Sequence, residues 1–129
     1  ISQSLFVGEL KDGVRSAVAQ GGTNFSGGQK QRLSIARAVY KDAEIIIFDD
    51  SFSALDYKTD MVVRKKIKEN LKDKTVIIVA QRIGTIKNAD KILVLDNGRI
   101  VGSGRHEELL ESCPVYKEIA LSQLSKEEL

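Results

Sequence analysis

From about residue 26 onward the apolar positions alternate between two periods. Residues 29–40 place Leu33, Ala36 and Tyr40 on one face and basic residues elsewhere, which predicts a helix. Glu44-Ile-Ile-Ile-Phe48 is a short, nearly continuous apolar run, the pattern expected of a strand buried on both faces. Residues 58–71 predict a second amphipathic helix, with Val63, Ile67 and Leu71 spaced four apart. Residues 75–80 form another buried-strand run. Strand, helix, strand in that order predicts a βαβ unit with the two strands parallel in one sheet. Residues 91–95 and 99–101 flank Asp96-Asn97-Gly98 and predict a hairpin, because Asn-Gly supplies the positive φ angles of a tight turn. Residues 106–111 and 115–124 read as two closing helices, with Pro114 at the first turn of the second. The first twenty residues carry a weaker pattern: 1–10 allow a helix, Lys11-Asp12-Gly13 a turn, and Gly21-Gly22 a loop. The polar tail 125–129 is expected to fray.

Composition narrows the classes this pattern leaves open. A chain of 129 residues, 42% of them hydrophobic, suits one modest core. Twenty basic against 18 acidic residues leave a net charge of +2, which argues against a nucleic-acid binder that works by bulk positive charge. Cys113 is the single cysteine, so no intrachain disulfide is available, and with His106 it makes no metal set; both residues are expected to be structural. The longest apolar runs, 45–48 and 76–80, are far shorter than the ~20 residues needed to span a bilayer. No basic-then-apolar leader is visible. A start at Ile1 rather than methionine points to a piece of something longer.

The candidate chemistry begins at Asn24-Phe25-Ser26-Gly27-Gly28-Gln29, which opens the first clear helix. A serine N-cap leaves backbone N–H groups pointing out of the helix end, two glycines admit a close oxygen, and the dipole adds positive potential. Together these suit a phosphate. Read alone, a Ser-capped helix after a glycine turn is the simpler account of the stretch, since glycine-rich helix starts are common. Twenty positions after Gln29, however, Asp49 ends an apolar strand, where parallel sheets bind ligands and where phosphate-loop enzymes hold Mg²⁺. Asp50 adds a second carboxylate, Ser53-Ala54-Leu55-Asp56 follows closely, and Gln81-Arg82 ends the next strand at the same sheet edge.

This ordered set resembles the nucleotide-binding domain of ATP-binding-cassette (ABC) transporters, exporter type, over roughly residues 18–121. Phe25-Ser-Gly-Gly-Gln-Lys-Gln-Arg32 resembles the family signature, with Phe25 where leucine is commoner; residues 45–49 resemble Walker B, 53–56 the D-loop, and 80–83 the switch loop. Residues 90–98 and 104–109 resemble the closing segment. The implied fold is α/β: the C-terminal portion of a P-loop NTPase domain, with parallel strands and flanking helices followed by a hairpin and helices. Residues 1–41 would end the helical subdomain, and 42–129 would carry Walker B, the D-loop, the switch loop and the C-terminal part.

The resemblance implies a head-to-tail pair of such domains sandwiching two ATP molecules. Ser26, Gly27 and Gly28 would bind the γ-phosphate of the ATP held by the partner, and Gln29 would contact the nucleotide or the nearby interface. Asp49 would hold Mg²⁺ through water. Ser53, Ala54, Leu55 and Asp56 would lie across the dimer interface. Asp50 and Gln81 would stand at the catalytic positions, where the family usually carries glutamate and histidine. Asp50 is one methylene short, and Gln81 cannot carry a proton or a positive charge. Gln20, in a loop implied to face the transmembrane domains, replaces a glutamate common in exporters.

Both catalytic departures fall on one hydrolytic site while the signature is intact. The expected function is therefore the ATPase engine of an exporter at the cytoplasmic face of the plasma membrane, as the degenerate-site half of a heterodimer. Alternatives are a non-transport ABC-type ATPase and a non-hydrolysing regulatory half. The phosphate-gripping loop G-x-x-x-x-G-K-S/T is not among these residues. Gly8 to Gly13 and Gly22 to Gly27 have the glycine spacing, but Val14 and Gly28 follow where lysine is needed. The chain is accordingly expected to be the C-terminal half of the cassette, and inactive alone.

Overall fold

Ser26 starts the first long helix for a local reason. Its hydroxyl accepts the Gln29 amide at 3.2 Å, and the Gln29 side chain accepts the Ser26 amide at 2.9 Å. This capping box satisfies two of the amide donors a helix start leaves over. A computed structural model describes residues 2–123. They fall into two units, one ending at Val79 and one starting at Ala80.

The first unit contains α1 (Gly27–Tyr40), β1 (Ile45–Asp49), α2 (Tyr57–Asn70) and β2 (Thr75–Val79). β1 and β2 pair in parallel, from Ile45 opposite Thr75 to Asp49 opposite Val79, as the strand–helix–strand order predicts. The core is formed by Ile35 from α1, Ile46 and Phe48 from β1, Val63 and Ile67 from α2, Leu71, and Phe52 and Leu55 from the turn after β1. Each fully buried aliphatic side chain here contributes about 1.5–3 kcal/mol. Asp60 is buried on α2, where Arg64 one turn later meets both its oxygens at 2.9 and 3.1 Å. Such a fork compensates a charge that would be costly to bury alone.

Three expectations change in this unit. The inward face of α1 is set by Ile35, with Ala38 and Val39 against the core, and Tyr40 is 91% exposed. β1 is not buried on both faces: Ile46 and Phe48 are covered, whereas Ile45 and Ile47 are 59% and 60% exposed. β2 repeats this, with Ile77 and Val79 exposed on the open side of the two-stranded sheet. The helix expected over 1–10 is not formed by the described residues 2–10. Leu5–Glu9 is a 3-10 turn, and two more such turns, Gly13–Arg15 and Gln20–Gly22, lead towards α1.

The second unit contains α3 (Ile83–Ile86), β3 (Ile92–Asp96), β4 (Arg99–Gly104), α4 (His106–Ser112) and α5 (Pro114–Gln123). The hairpin turns at Asn97 and Gly98, both at positive φ (47° and 75°), as the Asn-Gly pair predicts. β3 and β4 pair antiparallel, with an irregularity at Val94/Leu95. Ile83, Ile92, Val94, Leu109, Cys113, Tyr116 and Ala120 form its core. His106 and Cys113 are buried: His106 Nδ1 lies 2.8 Å from the Tyr116 hydroxyl, and Cys113 Sγ lies 3.9 Å from the Val101 carbonyl. Pro114 opens α5 as predicted. α3 escaped the sequence reading. The predicted tail 125–129 lies outside the described residues.

Candidate nucleotide and metal site

The turn before α1 is held by its own side chains. Asn24 accepts the Ala19 amide and donates to the Ala17 carbonyl, both at 3.1 Å, and closes the loop that delivers Ser26 to its capping position. Behind Ser26, the amides of Gly27 and Gly28 have no carbonyl four residues earlier in the helix to bind. The dipole end and these donors can receive a phosphate oxygen. Gly27 and Ser26 are exposed, and Gly28 is half-buried. The Gln29 side-chain oxygen is occupied by the cap.

Gly28 also has a packing reason to be glycine. A Cβ there would come within 3.0 Å of the Ala54 carbonyl oxygen, and one on Gly27 would touch the Ala54 methyl at 3.4 Å. The start of α1 therefore lies directly against residues 54–55.

β1 delivers the two carboxylates. Its pleat turns Phe48 into the core and leaves Asp49 outward at the strand's C-terminal end, beside Val79 of β2. Asp49 borders an open groove with Ser34, Arg37, Lys41, Ile47 and Ser51. The chain then reverses. Asp50 takes a left-handed backbone (φ 48°), and its amide donates to the Val79 carbonyl at 3.0 Å. Aspartate is one of the few non-glycine residues that adopts this conformation readily. Phe52 and Leu55 anchor the following turn in the core, with the Phe52 and Phe48 rings 5.5 Å apart. Two adjacent exposed carboxylates suit a hard divalent cation that keeps waters and takes one or two protein oxygens. They would not make a closed cage, and among the described residues no cluster of three or more metal-ligating side chains exists.

Asp56 caps α2. Its oxygens accept the Thr59 amide at 3.0 Å and the Thr59 hydroxyl at 2.7 Å. The hydroxyl bond first, and then the amide bond, hold its carboxyl below the usual carboxylate value. The structure thus brings Ser26, Gly27, Gly28 and Gln29 together with Asp49, Asp50 and residues 53–56 in the first unit. Gln81 belongs to the second unit, where its carbonyl accepts the Gln123 side-chain amide at 2.9 Å.

One residue of this constellation was missed from sequence. Gln31 donates to the Asp50 carbonyl at 3.1 Å and to the Ser53 hydroxyl at 2.9 Å, and accepts the Ala54 amide at 2.8 Å. The available signal was its place four residues before the buried Ile35, a polar amide on the inward stripe of α1.

Residues 6–53 match the family model described as "ABC transporter". Over 112 residues the chain is 54% identical to an uncharacterized ABC transporter ATP-binding protein of Mycobacterium bovis, covering 87% of this chain and 19% of that protein. Over 119 residues it is 46% identical to the ATP-dependent lipid A-core flippase of Francisella tularensis, covering 92% of this chain and 20% of the flippase. Among solved structures, a bacterial Atm1-family ABC exporter with ATP bound superposes with a TM-score of 0.89 at 36% identity, covering 94% of this chain and 21% of that one. The chain spans about a fifth of the length of the curated relatives it matches.

Proposed function

We propose, for this chain of the ABC-transporter ATPase family, that it is part of the ATP-driven engine of an exporter. The observation that carries the reading is the joint placement of a serine-capped, glycine-lined helix start and a two-carboxylate strand end in one packed unit. The exporter character is supported by the flippase and exporter likenesses. In this reading residues 1–41 end the helical subdomain, and the rest carries the carboxylates and the C-terminal part.

A second nucleotide-binding domain would pair head to tail with this one. The amides of Gly27 and Gly28 and the hydroxyl of Ser26 would meet the phosphate held by that partner, and Gln29 would sit at the same contact. Residues 53–56 would face the partner across the interface. Asp49 would hold Mg²⁺, which when bound neutralises phosphate charge. Asp50 would orient the attacking water at this chain's own site, and Gln81 would offer a neutral hydrogen bond to the phosphate. The 129 residues by themselves contain no phosphate-gripping loop and would not hydrolyse ATP. Transmembrane domains of the same transporter would hold the assembly at the cytoplasmic membrane face. No helix among the described residues is long and apolar enough to cross a membrane.

The site that carries Asp50 and Gln81 would be slow, while this chain's signature would complete a competent site on that same partner, a chain of different sequence in a heterodimer. A carboxylate misplaced by about 1 Å costs on the order of 10²-fold in rate. In the full-length transporter, Asp50→Glu combined with Gln81→His is expected to raise turnover at the slow site at least about tenfold. Unchanged turnover in the double variant, with nucleotide binding intact, would contradict the assignment.

A further inference from the structure

We infer that Gln31 is a positioning residue that makes the start of α1, the Asp50 turn and residues 53–55 move as one body. The inference rests on the ATPase reading above and adds a link between its two functional ends. One side-chain amide spans three partners: its NH₂ donates to the Asp50 carbonyl and the Ser53 hydroxyl, and its oxygen accepts the Ala54 amide. Both ends of the amide are therefore engaged, with donor and acceptor fixed by the chemistry of what they meet. A second contact runs in parallel, the close approach of Gly28 to the Ala54 carbonyl.

The Asp50 backbone needs such support. It turns at positive φ immediately after the strand, a conformation that persists where its surroundings over-determine it. Its amide is held by the Val79 carbonyl, and its carbonyl receives the Gln31 amide and the Ser53 hydroxyl, the latter at 3.0 Å. The direction of the Asp50 carboxylate thus follows from where α1 sits. In a head-to-tail pair, α1 points its N-terminus at the partner's nucleotide. Displacement of α1 by that nucleotide would be passed through Gln31 to the carboxylate serving this chain's own site.

Two substitutions in the full-length transporter separate the parts of the link. Gln31→Met keeps the side-chain length and removes all three bonds. Gln31→Glu keeps the acceptor for the Ala54 amide and removes the donor to the Asp50 carbonyl. Residue-resolved hydrogen exchange is expected to show the Ala54 amide exchanging about five- to tenfold faster in Gln31→Met, the equivalent of one lost hydrogen bond, and near the wild-type rate in Gln31→Glu. Both variants are expected to lower kcat at the site that carries Asp50, followed by trapping nucleotide in that site, at least about tenfold while its KM stays within about twofold, because the carboxylate is misdirected while nucleotide contacts persist. Unchanged exchange at Ala54 in Gln31→Met, or wild-type kcat in both variants, would overturn the inference. If Gln31→Met fails to fold, which exchange at residues 46–48 would show, the kcat of Gln31→Glu decides alone. Absence of ATPase activity in the wild-type transporter would instead refute the ATPase reading, and the exchange result would still judge the link.

Discussion

At the scale of single residues, Gly28 and Gly84 make opposite cases. A helical glycine usually costs about 1 kcal/mol relative to alanine. Gly84 lies in α3, and a Cβ added there would meet nothing within 4 Å, so Gly84→Ala is expected to stabilise by about that amount. Gly28→Ala would push a methyl to 3.0 Å from the Ala54 carbonyl oxygen, a backbone atom in a turn anchored by Phe52 and Leu55. It is expected to bring no gain and to lower the urea midpoint instead; a gain equal to that of Gly84→Ala would mean the turn gives way freely. The sequence made Ser26, Gly27 and Gly28 visible because capping and glycine chemistry are local. Gln31 stayed hidden because its partners lie about twenty positions away, and its place one turn before Ile35 becomes a signal only once the inward stripe of α1 is known. The positive φ of Asp50 was equally unreadable, since it depends on how β1 meets the turn and on the Val79 carbonyl.

At the scale of elements, α2 shows a cap whose strength depends on pH. The Thr59 hydroxyl and amide bonds hold the Asp56 carboxyl below its ordinary value, so the folded state binds its proton less readily than the unfolded chain. The stabilisation is therefore fully present above the ordinary carboxylate pKa and is lost as pH falls through the lower, folded value. Asp56→Ala is expected to lower the urea midpoint at about pH 7 and to do so progressively less towards about pH 3. A difference that stays constant over that range would show that the charge plays no part in the cap. The long elements were legible because their apolar periods exceed two turns or fill a strand. The inward face of α1 was not: Leu33, Ile35, Ala36, Ala38, Val39 and Tyr40 surround much of the helix, so spacing alone selects no single stripe. α3, four residues long, is shorter than the period that would reveal it. β1 and β2 are apolar on both faces, but the described elements cover only one.

At the scale of the whole molecule, the near balance of charge takes on a specific meaning. Phosphate would be met by the amides at the start of α1 and by a paired carboxylate–cation centre, which needs no excess of basic side chains. The two units divide the proposed machinery, with the helix start, the carboxylates and Gln31 in the first and Gln81 in the second. The central claim is an asymmetry between the site this chain completes with its signature and the site it builds with its own carboxylates. The most direct measurement traps nucleotide in the full-length transporter dimer and identifies, site by site, whether ATP or ADP is present. The expected result is ADP forming rapidly at the site closed by Ser26, Gly27 and Gly28, with intact ATP persisting at the site that carries Asp49 and Asp50. ADP appearing at equal rates in both sites would contradict it.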